Sequence, residues 1–324
     1  MTPLTVHHIT TYRYASPVTF GRHRLMLRPR DSHELRLASA ELMVSVPCNV
    51  GWQYDVFGNS VAFVDFTEAA DSLSIASTLK IERYALAQPD FPIAGDAENY
   101  PFMHSADDRA DLGRLRELNY PDPRNIVTDW AKQFVARDHK RTWDVLADMN
   151  SAIHAGFKYN ARYEEGTQTP IETLERSNGT CRDFALLFME AARALGFGAR
   201  FVTGYLYDPP VDGGVQGAGA THAWADIFLP GAGWVEFDPT NGLIAAENLI
   251  RVAVTRDPSQ ALPVGGSYVG TPDAYLGMEV AVTVQAGIGP ATPGTAPSTP
   301  PTPAAALAAA APPAAAPAKK ASAA

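Results

Sequence analysis

The segment Asn178-Gly-Thr-Cys-Arg-Asp-Phe-Ala-Leu-Leu-Phe-Met189 constrains the fold more than any other part of the chain. Thr180, with Asp183 three residues later, fits a capping box, and Phe184, Leu187, Phe188, Ala191 and Leu195 recur on one helical face. Gly196 supplies the stop. The pattern predicts an amphipathic helix with Cys181 in its first turn, at the helix start rather than deep in a core. There the unsatisfied backbone N–H groups and the positive dipole end favour a thiolate, and the same donors can form part of an oxyanion hole.

Most free cysteines are simply small buried hydrophobes, so the residues that follow decide the reading. His222-Ala-Trp-Ala-Asp-Ile-Phe-Leu alternates like a strand, and Trp234-Val-Glu-Phe-Asp238-Pro-Thr begins as another. Leu229-Pro-Gly-Ala-Gly233 between them predicts a hairpin. If Leu229 pairs with Gly233, or Phe228 with Trp234, Asp238 falls opposite Trp224 and shares a face with His222; pairing Pro230 with Gly233 puts the two on opposite faces. A thiol–imidazole–carboxylate set therefore requires an odd loop or a bulge. Taken singly, His222 reads as a strand residue and Asp238 as the start of an Asp-Pro-Thr-Asn-Gly turn. In chain order with Cys181, they suit nucleophilic acyl transfer. Trp224, on the His222 face, is placed to shield a His–Asp hydrogen bond from water, or is an ordinary core tryptophan.

Residues from about Arg141 to Gly242 resemble the transglutaminase-like family. The matching runs are Gly179-Thr-Cys181-Arg-Asp-Phe-Ala, Gly196-Phe-Gly-Ala-Arg200-Phe-Val-Thr-Gly204-Tyr-Leu, His222-Ala-Trp224 and Trp234-Val-Glu-Phe-Asp238-Pro-Thr-Asn. The N-terminal region is similar to the β-rich domain that precedes this core in bacterial members, through His8-Ile-Thr-Thr-Tyr-Arg-Tyr14, Pro17-Val18, Leu27-Arg-Pro-Arg30 and Asp55-Val-Phe-Gly-Asn59. The resemblance implies an α+β fold with a papain-like cysteine-nucleophile core, and a Cys181, His222, Asp238 triad acting on peptide or glutamine-type amides. By analogy a second oxyanion donor is needed, and Tyr159 and Asn178 are its candidates. The outcome stays open between hydrolysis, toward which an intracellular bacterial-type member leans, amine transfer as in a protein-crosslinking transglutaminase, and a catalytically idle binding or assembly protein.

The expected organisation is a β-rich sandwich over residues 1–87, a linker over 88–122 and the catalytic core over 123–286. An Ala/Pro-rich disordered tail follows over 287–324. Strand-like alternation runs through Val61–Phe66 and Leu73–Ile81, and a short helix is expected within the linker. Two amphipathic helices precede the cysteine, marked by Ile126, Val127, Trp130 and Phe134, and by Leu146, Met149, Ile153 and Phe157. Strands near Ile250–Val254 and Met278–Val284 are expected to close the core. Asp208–Ala220, rich in glycine, reads equally as a lid beside the site or as a surface hairpin.

The net charge of −9 argues against nonspecific nucleic-acid or anionic-membrane binding. The densest basic run, Arg22, Arg24, Arg28 and Arg30, reads as one solvated strand face. Partners are expected to be peptide or protein substrates. No apolar run is long enough to span a bilayer and no basic-then-apolar leader opens the sequence; with Cys48 and Cys181 in different predicted domains, a reducing cytoplasm is the expected compartment. No metal or cofactor is expected, because neither zinc spacing nor an EF-hand loop is present. His7 and His8 are expected at a surface or domain interface.

Between Glu279 and Lys319 the sequence has no charged residue, and it is dominated by Ala, Pro and Thr from Ala291. Such a composition cannot build a packed core, which makes it a passive tail in the first reading and a tether in the second. Truncation after Ala291 is therefore expected to leave the melting transition unchanged in a thermal scan; a large drop would mean that the tail docks.

Overall fold

The computed structural model describes residues 2–84, 91–136, 140–160, 166–207 and 219–287, the side chains of 219 and 220 excepted. Of the Asp208–Ala220 segment, read equally as a lid or a surface hairpin, residues 208–218 lie outside the described residues, as does the tail beyond 287. Six strands open the chain: β1 (Thr2–Phe20), β2 (His23–Arg28), β3 (Leu35–Val44), β4 (Cys48–Tyr54), β5 (Ser60–Phe66) and β6 (Ala70–Arg83). Next come β7 (Asn99–Tyr100), α1 (Ala106–Leu112), α2 (Ile126–Lys132), β8 (Lys140–Arg141) and α3 (Thr142–Gly156). The middle of the chain holds β9 (Lys158–Tyr159), α4 (Pro170–Arg176), β10 (Asn178–Gly179), α5 (Cys181–Ala194), β11 (Gly198–Tyr207), β12 (Gly219–Leu229), β13 (Gly233–Asp238), β14 (Leu243–Ile244) and β15 (Leu249–Thr255). β16 (Val264–Gly265), β17 (Tyr268–Val269) and β18 (Tyr275–Ala286) complete it.

The expected sandwich forms, but not from residues 1–87 alone. One sheet runs β17-β1-β6-β3 with β18 also on β1, and the other runs β16-β2-β5-β4. The strand predicted over Met278–Val284 is therefore real but misplaced: it pairs antiparallel with β1, Val6 opposite Val284, and does not close the core. Alternation identifies a strand and its buried face, not the strand beside it, which is why the sequence could not assign the partner. The 91–122 segment is likewise no free crossing. Phe91, Ile93, Tyr100 and Phe102 pack on the core cluster.

The core is a five-stranded antiparallel sheet, β14-β13-β12-β11-β15, covered by α5 and its neighbours. α5 is buried on nearly every side, with Phe184, Leu187, Phe188 and Ala191 against Ala199, Phe201, Ala223, Ala225 and Phe237 of the sheet. The α4 helix went unpredicted, although Thr169-Pro-Ile-Glu172 carries a capping signature whose Glu172 carboxylate accepts the Thr169 N–H at 2.8 Å.

Polar side chains fasten the sandwich to the core. Asn59 pairs with the edge strand β15 like a backbone unit: its Nδ2 donates to the Val254 carbonyl at 2.6 Å and its Oδ1 accepts the Val254 N–H at 2.9 Å. Asp55 holds Asn59 in place by accepting its N–H and its Nδ2. His8 sits at the same junction with Nδ1 3.0 Å from the Tyr205 hydroxyl. Leu4, Val6, Leu79, Ile250, Val252 and Val284 form one apolar cluster across the boundary. Of the arginine run, Arg22, Arg28 and Arg30 are exposed as expected, Arg28 over Trp52 and Arg30 over Tyr54, and only Arg24 is half-buried. Cys48 is half-buried.

Because β18 covers β1, truncation after Asp273 is expected to destabilise the chain where truncation after Ala291 does not. Loss of the burial that Val284 alone contributes, about 1.5–3 kcal/mol, corresponds to a melting-temperature loss of roughly 3–12 °C in a domain of this size class. Equal melting temperatures for the two truncations would contradict the pairing.

Candidate active site

The first turn of α5 is set by Asp183. Its carboxylate accepts the Thr180 N–H at 2.8 Å and the Thr180 hydroxyl at 2.9 Å, and its other oxygen accepts the Gln168 N–H at 2.7 Å. A Cβ on Gly179 would come within 2.8 Å of the Asp183 Cβ and 3.3 Å of the Phe184 ring, so only glycine lets β10 turn this closely into the helix. Cys181 follows as the first helical residue. It is also 2 % exposed and part of the main core cluster, so the expectation that a helix-start cysteine lies outside the core is corrected. A long helix sunk into the sheet buries its own N-terminus.

The hairpin adopts the odd loop. Leu229 pairs with Gly233 and Ala225 with Phe237, which carries Asp238 opposite Trp224 and onto the His222 face. His222 Nε2 donates to Asp238 Oδ2 at 2.8 Å. Nε2 is so occupied, and the Cys181 thiol further favours the charged imidazole. Asp238 is buried and accepts from the Thr240 N–H at 3.0 Å and from Asn241 Nδ2 at 2.7 Å. Burial alone would lower the His222 pKa, but the Asp238 charge and hydrogen bond, aided by the Cys181 thiol, overturn that and push it up to about 10. Burial raises the Asp238 pKa, and the His222 and Asn241 partners outweigh it to hold the carboxyl below its ordinary range.

Trp224 stacks beside His222 with ring centroids 6.0 Å apart and planes at 29°. Its Nε1 donates to Glu236 at 3.2 Å, and Glu236 accepts from Arg251 at 2.7 Å. Gly204, directly opposite His222, makes room for this indole: a Cβ there would stand 2.8 Å from the Trp224 ring and 2.0 Å from the Ile250 carbonyl oxygen. Tyr159 lies next to Gly179 across the β9–β10 pair. Burial, and the nearby Cys181 and Asp183, raise its phenol well above the ordinary range. The Asn178 carboxamide donates to the Arg176 carbonyl at 3.2 Å. Asn241 was not singled out by sequence reasoning, because Asp-Pro-Thr-Asn-Gly reads first as a turn. Among the described residues no three His, Cys, Asp or Glu side chains converge as a metal site, and no helix is long and apolar enough to cross a membrane.

The helix-borne cysteine packed against an antiparallel hairpin that carries His and Asp defines a transglutaminase-like, papain-like core behind an N-terminal sheet domain. Residues 128–239 match the model of the transglutaminase-like superfamily, and residues 4–82 match the bacterial transglutaminase-like N-terminal region. The chain belongs to the transglutaminase-like superfamily. An uncharacterised protein of Mycobacterium tuberculosis is 29% identical over 289 residues, covering 86% of this chain and 91% of its own length. One of Mycobacterium leprae is 27% identical over 290 residues, covering 86% and 98%. The fold is shared with a solved protein of Cytophaga hutchinsonii named as a candidate cysteine protease. That match has a TM-score of 0.62 at 18% identity and covers 88% of this chain and 98% of that one.

The shifts fix how the His–Asp pair responds to pH. A His whose pKa rises on folding contributes stability that is full below its ordinary value of 6.5 and is lost as pH climbs toward about 10. The lowered carboxyl contributes above its ordinary value of 3.8 and fails on acidification through that range. His222→Gln is therefore expected to lower the melting temperature most near pH 6 and progressively less toward pH 10. A gap between the two chains that widens with alkalinity would contradict the assignment of charge.

Proposed function

We propose that this chain is a thiol-dependent acyl-transfer enzyme acting on peptide or glutamine-type amide bonds, with hydrolysis as its main outcome. The single observation that carries the reading is the buried His222–Asp238 hydrogen bond, with the His222 charge favoured also by the Cys181 thiol at a helix N-terminus. The Cys181 sulfur attacks the carbonyl carbon, with its proton held by His222; as the C–N bond breaks, His222 delivers that proton to the departing amine. Asp238, fixed by Asn241 and Thr240, keeps the imidazole oriented. The Cys181 backbone N–H supplies one oxyanion donor, and Tyr159 and Asn178 are the candidates for the second. Water then adds to the thioester, His222 takes its proton, and the acid leaves. The name carried by the Cytophaga hutchinsonii structure agrees with hydrolysis.

One observation favours amine transfer instead. Cys181 is 2 % exposed, and a nucleophile screened from water suits an acceptor that must outcompete it. Incubation with a glutamine-containing peptide library and a labelled amine separates the two. Shortened peptides are expected, with little label incorporated, and Cys181→Ala should lower turnover by several orders of magnitude while changing stability by about 1 kcal/mol. Label on glutamine as the dominant product assigns transfer. Turnover that survives Cys181→Ala refutes the proposal.

A further inference from the structure

β15 ends the core sheet, and among the described residues no strand pairs with its outer edge. At Val254 that edge is taken by the Asn59 carboxamide, which bonds to it as a neighbouring strand would. Beside Asn59 the edge continues through Ala253, Val252 and Arg251 along a cleft of about 1060 Å³, which residues 30–35 and 57–59 of the sandwich line as well. The β11–β15 register passes from Thr203 opposite Ala253 to Gly204 opposite Arg251, so Val252 has no partner on β11. Pockets for small ligands run to about 1000 Å³, and a space of this size takes several residues of an extended chain rather than a single inorganic ion.

The charge of the cleft opposes that of the chain. Arg30, Arg83, Arg200 and Arg251 line it against two carboxylates, Asp31 and Glu34, in a sequence whose net charge is −9. Arg200 and Arg251 are neutralised from beneath, by Asp226 at 2.8 Å and by Glu236 at 2.7 Å. Arg30 and Arg83 are not. Arg30 donates to the Gly58 carbonyl and Arg83 to the Glu247 carbonyl, each at 2.8 Å, and among the described residues neither is ion-paired. Asp31 is spent on the Leu37 N–H, and Glu34 lies 3.6 Å from His33. Phe57, Phe91 and Trp234 add apolar surface to the same walls.

We propose that this cleft binds an extended acidic peptide segment, laid along the outer edge of β15 with its carboxylates paired to Arg30 and Arg83. Main-chain pairing on an open strand edge supplies affinity, and the walls select the side chains. Alternate side chains of an extended chain point to opposite sides, so a segment that alternates acidic and apolar residues meets both the guanidinium groups and the aromatic surface. A guanidinium is the donor suited to a carboxylate, because its fork bonds both oxygens. The inference does not rest on Cys181 being a nucleophile, since Cys181 and His222 do not line the cleft.

The test is fluorescence anisotropy of a fluorescein-labelled peptide of alternating Glu and Leu, titrated with the full chain at low salt. Saturable binding in the micromolar range is expected, weakened about tenfold or more when Arg30→Gln and Arg83→Gln are combined, and weakened again by added salt. Arg114→Gln, at an exposed arginine that does not line the cleft, should leave it unchanged. If the double variant does not fold, His33 decides, because it is exposed and lines the cleft: His33→Glu should weaken binding and His33→Lys should strengthen it. A peptide of alternating Ser and Leu should bind about tenfold more weakly or less, and equal binding of the two peptides overturns the proposal. So does the absence of saturable binding, or binding that the cleft variants leave unchanged. Citrate that displaces the peptide at equal concentration assigns the cleft to a free polycarboxylate and overturns the peptide as its occupant. Binding that is lost in Cys181→Ala places the peptide at the thiol instead and overturns the cleft as its site. Failure of the binding prediction leaves the proposed function standing, and an inert Cys181 leaves the cleft standing.

Discussion

The pairing of Leu229 with Gly233 is the constraint on which the site depends. One residue of slip would turn Asp238 to the opposite face from His222, and Glu236 away from Trp224, because side chains alternate with period two. The loop that fixes this register carries Gly231 and Gly233 at positive φ. Its tip is held from outside: the Ala94 N–H donates to the Pro230 carbonyl at 2.8 Å, and a Cβ on Gly231 would run into the Pro92 carbonyl and the Ala94 N–H. The 91–94 stretch thus clamps the turn that sets the phase of the hairpin.

Behind the His–Asp pair runs a second polar layer. Trp224 is tied to Glu236, Glu236 to Arg251, Arg251 to Asp226 at 3.0 Å, and Asp226 to Arg200 at 2.8 Å, with Arg200 stacked 4.1 Å from the Trp234 ring centroid. These groups line or underlie a cleft of about 1060 Å³ between sandwich and core, whose walls include Arg30, Arg83 and Phe57. The imidazole is thus gripped on its edge by a carboxylate and on its flat side by an indole. The indole is anchored in turn to the sheet face that meets the sandwich.

What could be read in the sequence follows from which features are local. The α5 start at Thr180–Asp183 and the hairpin parity are decided within a few residues of each site residue, so both were legible. Sandwich alternation was legible too, and so was a boundary position for His8. The sequence did not disclose that Met278–Val284 belongs to β1, because strand partners are chosen by the whole fold. Nor did it disclose that the Asn59 carboxamide completes the β15 edge. Burial of the Arg182 charge is a tertiary fact that nothing in Cys-Arg-Asp announces. Asn241 was hidden by the competing turn chemistry of its neighbours.

The return of β18 to β1 also has a temporal meaning. The Thr5 hydroxyl donates to the Gly287 carbonyl across 282 residues of sequence, and β1 is lined by β18 for most of its length. On a ribosome, β1 is made long before β18 and waits with one edge bare while the core that interrupts the sandwich is made and folded. Contacts of such separation close late and slowly, and an unpaired strand edge invites association with other nascent chains. The architecture therefore makes the arrival of β18 a late folding event, and joins two spatially distinct units into one kinetic unit.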